Sequence, residues 1–175
     1  MNNTRKIVFL ALLSSLGSII GLFETLIPLP FLAPGMRLGF SNIVVLVSLV
    51  VFGYNEGLSV ALLKSLILML LSGNVSGFIY SFSGAFTSAL AMIIALTLLK
   101  DKISLIGVSL IGSSVHNTTQ VLVSSLILKN IMIFSYLPIL LLIGIFTGIF
   151  VGMSSIYISK NLGNRVSIKN KGWTN

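Results

Sequence analysis

Apolar residues run in long stretches along this chain, and each stretch ends at a short cluster of polar, glycine or charged residues. Six such runs stand out: residues 7–27, 38–52, 58–71, 78–99, 104–128 and 133–158. A helix rising about 1.5 Å per residue needs roughly 20 residues to cross the hydrocarbon core of a bilayer. The pattern predicts an all-α integral membrane protein with six transmembrane helices. The second and third runs are short, so either is a candidate for a hairpin element that stops below the far surface, with Gly53-Tyr54-Asn55-Glu56-Gly57 as the tight turn between them.

Composition agrees: 55% of the 175 residues are hydrophobic and 8% are charged, with a mean hydropathy of +1.09. That balance lies outside the range of soluble domains. Cationic loops stay on the cytoplasmic side. With both termini inside, Arg5, Lys6, Lys100, Lys102, Lys160, Arg165, Lys169 and Lys171 are cytoplasmic, Arg37 and Lys129 are external, and Lys64 falls within a span. An N-in/C-in arrangement is therefore expected, in a multi-pass protein of the cell membrane. The net charge of +8 reads as a topology signal plus attraction to anionic lipid, and no nucleic-acid partner is expected. Residues 1–160 are expected to form one six-helix transmembrane domain, and 161–175 a short basic cytoplasmic tail. The first run, after Arg5 and Lys6, shares its charge pattern with a secretory signal peptide. It lacks an A-x-A cleavage signature and is expected to remain as a span.

Small residues recur every four positions: Gly144, Gly148 and Gly152 in the sixth run, Gly17 and Gly21 in the first, Ser81, Ala85 and Ala89 in the fourth. Residues four apart share a helix face, so these stripes are expected to seat close helix contacts within the monomer. Ala11 and Ser15 form a further stripe in the first run, suited to a partner subunit.

Polar groups inside the runs carry the functional information, because an ionisable side chain at mid-bilayer costs at least about 2.5 kcal/mol. Glu24 lies near the outer end of the first run and Arg37 opens the second, with Ser41 and Asn42 expected to continue its helix face by about one turn. Lys64 sits in the middle of the third run, and His116, Asn117 and Gln120 cluster on the fifth. An interfacial ion pair between Glu24 and Arg37, or a snorkelling Lys64, are the plainer alternatives. Together these groups predict an outward-opening polar pocket, more positive than negative, that suits a small ligand with an anionic part. Asn74 adds a neutral hydrogen-bonding group and Tyr80 a stacking surface. With one histidine and three acids in the whole chain no metal site is expected, no cofactor is expected, and the absence of cysteine excludes disulfides.

The run Pro34-Gly35-Met36-Arg37-Leu38-Gly39-Phe40-Ser41-Asn42-Ile43, with Glu24 and Pro28 before it and Ile106-Gly107-Val108 and His116-Asn117-Thr118-Thr119-Gln120 after it, resembles the membrane family labelled heptaprenyl diphosphate synthase component I, also called the Gx transporter family. The resemblance spans about residues 5 to 160. It implies membership of the superfamily of substrate-capture (S) components of energy-coupling factor (ECF) vitamin transporters. That implies six helices with both termini inside, a loop after the first helix that covers an outward pocket, and an A-x-x-x-A face on the first helix. The face docks on a coupling subunit driven by two ATPase subunits. Here it reads Ala11-Leu12-Leu13-Ser14-Ser15, with serine in place of the second alanine. The implied ligand is vitamin-like or an isoprenoid or quinone precursor.

The enzymatic family label has a different implication, and the residues argue against it. Prenyl diphosphate elongation needs clustered carboxylates that hold magnesium against a diphosphate. Glu24, Glu56 and Asp101 are the only acids and are scattered along the chain. No G-x-x-x-x-G-K-[ST] sequence is present either. The chain is expected not to be an enzyme, and the second reading is a non-catalytic membrane partner of a synthase. An autonomous carrier is a third class, weakened by the lack of a repeat between residues 1–80 and 81–160.

Overall fold

A computed structural model describes residues 3–27, 36–99 and 102–163. Pro28, Pro30 and Pro34, the pair Lys100-Asp101 and most of the basic tail lie outside the described residues. Six α-helices are present among the described ones: α1 (Asn3–Thr25), α2 (Asn42–Val51), α3 (Tyr54–Ser72), α4 (Val75–Leu98), α5 (Leu105–Leu128) and α6 (Leu137–Gly163), with a 3-10 helix over Ile131–Tyr136 leading into α6. The six expected helices are all found. α1, α3, α4 and the stretch Ile131–Leu162 are long and apolar enough to cross a membrane. α5 matches α4 in length, 24 residues, and carries the polar residues His116, Asn117 and Gln120 at its core. The protein is a multi-pass membrane protein.

The second run differs from its expectation. Only ten residues are helical, about 15 Å of rise, half of what a span requires. The segment 36–39 has no regular structure and turns at Phe40 and Ser41 into α2. All ten residues of α2 are buried, and the helix touches α1, α3, α4 and α6. α2 is a core plug rather than a lipid-facing span, which explains a continuous apolar sequence with no polar face.

The direction of the helices follows from residue pairs. A Cβ added at Gly17 would meet Lys64, and one at Gly21 would meet Leu68; both numbers rise by four, so α1 and α3 run parallel. Lys6 and Glu56 pair near the first turns of the same two helices, and the Ser18 hydroxyl donates to the Lys64 carbonyl at 2.9 Å. Across α5 and α6 the order reverses. Gly144 faces Asn117 and Ser113, Gly148 faces Ser113 and Leu110, and Gly152 lies over Ile106. The glycine stripe of α6 is thus the seam against α5. A methyl at Gly152 would stand 2.6 Å from the Ile106 Cα, a backbone atom with no freedom to move aside. Lipid offers no hydrophobic drive for helix association, so this close approach supplies the dispersion contacts instead. Ser81, Ala85 and Ala89 are likewise buried on α4.

Several buried hydroxyls are satisfied within their own helices, while those of Ser88, Ser124, Ser155 and Ser159 have no partner among the described residues. Ser14, Ser18, Ser48 and Ser65 donate to carbonyls four residues back at 2.6–3.0 Å. That bonding lets small polar residues sit at membrane depth at low cost.

Candidate ligand-binding site

Residues 36–41, just before α2, are where buried polar groups from four helices converge. Gly39 adopts φ +90°, a left-handed conformation that a side chain would resist. It also lies close beneath His116: a Cβ there would be 3.1 Å from the ring Cδ2. Glycine at this point lets the segment pass under α5 and reverse into α2.

Glu24 holds that reversal. Its Oε2 accepts from the Gly39 N–H at 3.0 Å and its Oε1 from the Ser41 N–H at 2.8 Å. One carboxylate at the end of α1 thereby satisfies two backbone donors that no helix could satisfy. Lys64, only 2% exposed at the centre of α3, donates to Ser41 Oγ at 2.9 Å and Asn42 Oδ1 at 2.8 Å. It faces the interior and does not snorkel. Gln120 completes the clamp: its Oε1 accepts from the Arg37 N–H at 3.0 Å, and its amide nitrogen lies 2.7 Å from His116 Nε2.

The Arg37 guanidinium has a different status. The residue is 4% exposed, yet its Nε and Nη1 have no hydrogen-bond partner among the described residues. It rests against bare backbone on two helices. A Cβ on Gly21 would be 3.8 Å from Nη1, and one on Gly77 would be 3.4 Å from Nη2. Gly77 is in the first turn of α4, whereas Gly84, against which His116 packs, lies two turns further along, about 10 Å. Tyr80, 2% exposed, shares that face of α4 between the two glycines.

The structure thus brings Glu24, Arg37, Asn42, Lys64, His116 and Gln120 into one cluster. It places the remaining expected residues differently. Asn117 turns toward α6, donating to the Leu140 carbonyl at 2.8 Å. Asn74 is exposed and caps α4, its Oδ1 accepting from the Gly77 N–H at 2.8 Å. One expectation about Arg37 is corrected, and one plainer alternative is set aside. It does not stand on a helix face with Ser41, because residues 37–41 are not helical. No Glu24–Arg37 ion pair forms among the described residues; the carboxylate oxygens accept from the Gly39 and Ser41 amides instead. Sequence reasoning passed over the amides of Gly39 and Ser41 as the partners of Glu24, since backbone donors leave no side-chain signal.

Away from this cluster, Ala11 and Ser15 are both exposed on α1, with Leu12 and Leu16 beside them and also exposed.

Comparison with known proteins covers most of the chain. Residues 13–158 match the family described as heptaprenyl diphosphate synthase component I. The chain is 35% identical over 77 residues to the riboflavin transporter RibU of Streptococcus thermophilus, a match covering 44% of this chain and 36% of that protein. The matched region is thus about a third of the relative's length. A solved structure of the S component of a bacterial ECF transporter superposes with a TM-score of 0.69 at 23% identity, covering 94% of this chain and 98% of that one. The architecture is therefore the S-component fold.

Proposed function

We propose that this chain, which belongs to the heptaprenyl diphosphate synthase component I family, works as the substrate-binding S component of an ECF transporter. On this reading it takes up a small vitamin-like or isoprenoid- or quinone-precursor ligand from outside the cell. The observation that carries the proposal is the Arg37 guanidinium. It is buried between the C-terminal part of α1 and the first turn of α4, backed by a hydrogen-bonded clamp, and left with donors unused among the described residues. Burying such a group without a partner is costly, and a ligand that supplies the acceptor offsets the cost on binding.

In this reading Arg37 and Tyr80 contact the ligand, while Glu24, Asn42, Lys64, His116 and Gln120 hold the segment that presents Arg37. Asn74, exposed at the start of α4, adds a neutral hydrogen bond at the rim, whereas Asn117 serves the α5–α6 contact. The eight-to-two distribution of cations supports N-in/C-in, which puts the Arg37 end of the bundle outside. The exposed Ala11–Ser15 face then lies in the cytoplasmic half of α1, where small residues suit close docking of a coupling subunit driven by two ATPase subunits.

The family description supports a second reading, a non-catalytic membrane partner of a prenyl diphosphate synthase. Affinity purification from the native host separates the two. Recovery of ATPase subunits with the chain is the outcome expected of an S component. Recovery of a soluble, acid-rich prenyltransferase in their place would favour the synthase partner.

A further inference from the structure

Four ionisable side chains are buried together at the site: Glu24, Arg37, Lys64 and His116. Three are already committed. Both oxygens of Glu24 are taken by backbone amides, and the Lys64 amine is held by Ser41 and Asn42. His116 is held through Nε2 by Gln120, and its Nδ1 has no hydrogen-bond partner among the described residues. The direction of that last bond is set, because Gln120 Oε1 accepts from the Arg37 N–H. The amide nitrogen therefore points at His116 and donates, so His116 Nε2 is the acceptor and the ring is the neutral Nδ1–H tautomer. Only Arg37 remains as a cation with donors free among the described residues, and a guanidinium does not shed its proton.

From this we infer that the ligand carries one negative charge, a carboxylate received by Arg37, and that ligands bearing a diphosphate are excluded. The inference rests on the substrate-binding reading and narrows it. A carboxylate offers two acceptor oxygens to the planar guanidinium and neutralises one charge. A diphosphate brings two or more charges into a site where the Lys64 amine is already engaged and Glu24 is negative. The surplus would be buried at membrane depth without a counter-ion. An uncharged vitamin would leave the guanidinium unpaired.

Small anions that fit any carboxylate site test this without knowledge of the ligand. The purified chain is reconstituted in nanodiscs of zwitterionic phosphatidylcholine. Its thermal unfolding is followed while acetate or pyrophosphate replaces chloride at constant ionic strength. Acetate is expected to raise the midpoint in a saturable way and pyrophosphate to leave it unchanged. The Arg37→Gln variant should need at least about tenfold more acetate for the same shift. Arg37→Lys should be intermediate, and Lys160→Ala, which removes a cation exposed on α6, should match the unmodified chain.

A larger shift with pyrophosphate, no shift with either anion, or an acetate shift that survives in Arg37→Gln would each overturn the inference. So would an acetate shift abolished by adding anionic phosphatidylglycerol, because the anion would then be a lipid headgroup. If neither Arg37 variant folds, the contrast between acetate and pyrophosphate on the unmodified chain still decides. Co-purification of ATPase subunits is independent of all these outcomes. Their recovery without an acetate effect would reject the monoanionic ligand and leave the transporter reading standing.

Discussion

Gln120 accepts the Arg37 backbone N–H at 3.0 Å across 83 residues of sequence, and so fixes from α5 the position of a cation that belongs to the segment before α2. The same amide contacts His116 at 2.7 Å, so a single side chain sets both the placement of Arg37 and the tautomer of the imidazole.

The chain contains one histidine, which makes that tautomer directly measurable. Nitrogen-15 NMR of histidine-labelled protein should show the neutral Nδ1–H form. Finding the Nε2–H form would mean that the Gln120 amide is turned the other way and does not hold Arg37. Replacement Gln120→Leu should destabilise the fold by about 1–3 kcal/mol, since it strands a buried backbone donor, as read by denaturant titration in micelles.

Lys64→Met preserves length and removes the charge, leaving Asn42 Oδ1 buried without its donor. A loss of about 1–3 kcal/mol is expected. Combining Lys64→Met with Asn42→Leu should cost less than the sum of the two single changes, because the second removes the group that the first strands. Strict additivity would show that the contact is incidental.

Gly152→Ala should weaken the α5–α6 seam by about 1–3 kcal/mol, because the added methyl meets the Ile106 backbone rather than a movable side chain. Phe146→Ala, on the same helix at a position 75% exposed, should change stability by less than about 0.5 kcal/mol. Equal effects at the two positions would remove the glycine stripe as the determinant of packing.

Bulk at Ala11 or Ser15 should act on assembly and not on the pocket. The expected result for Ala11→Leu and Ser15→Leu is loss of co-purifying coupling and ATPase subunits, with acetate-dependent stabilisation retained, since both residues are exposed and far along α1 from Glu24. Undiminished assembly by both variants would take this face out of the mechanism.

Reporter fusions after Asn55, Lys102 and the last residue should read cytoplasmic, and fusions after Asn74 and Asn130 external. A cytoplasmic signal at Asn74 would place the Arg37 end of the bundle inside and exclude uptake from outside through this site.

The sequence alone determined the helices and their contact faces. Hydrophobic run length reports directly on membrane crossing, and a four-residue spacing of small groups is a property of one helix, as the seam of Gly144, Gly148 and Gly152 against α5 illustrates. It also singled out Glu24, Arg37, Lys64, His116 and Gln120, because ionisable and amide groups at membrane depth are too costly to be incidental. Only the tertiary structure decided what each does. Residues 38–41 are apolar enough to read as the start of a helix, yet Glu24 from α1 takes their amides and Gly39 turns them under His116. These interactions span 15 residues or more of sequence and leave no local pattern. They shorten α2 to a buried plug. The same long-range bonds divide the ionisable residues into Glu24 and Lys64, which are held by neighbouring groups, and the Arg37 guanidinium, which keeps donors without partners among the described residues, because donors and acceptors can be matched only once the helices have brought them together.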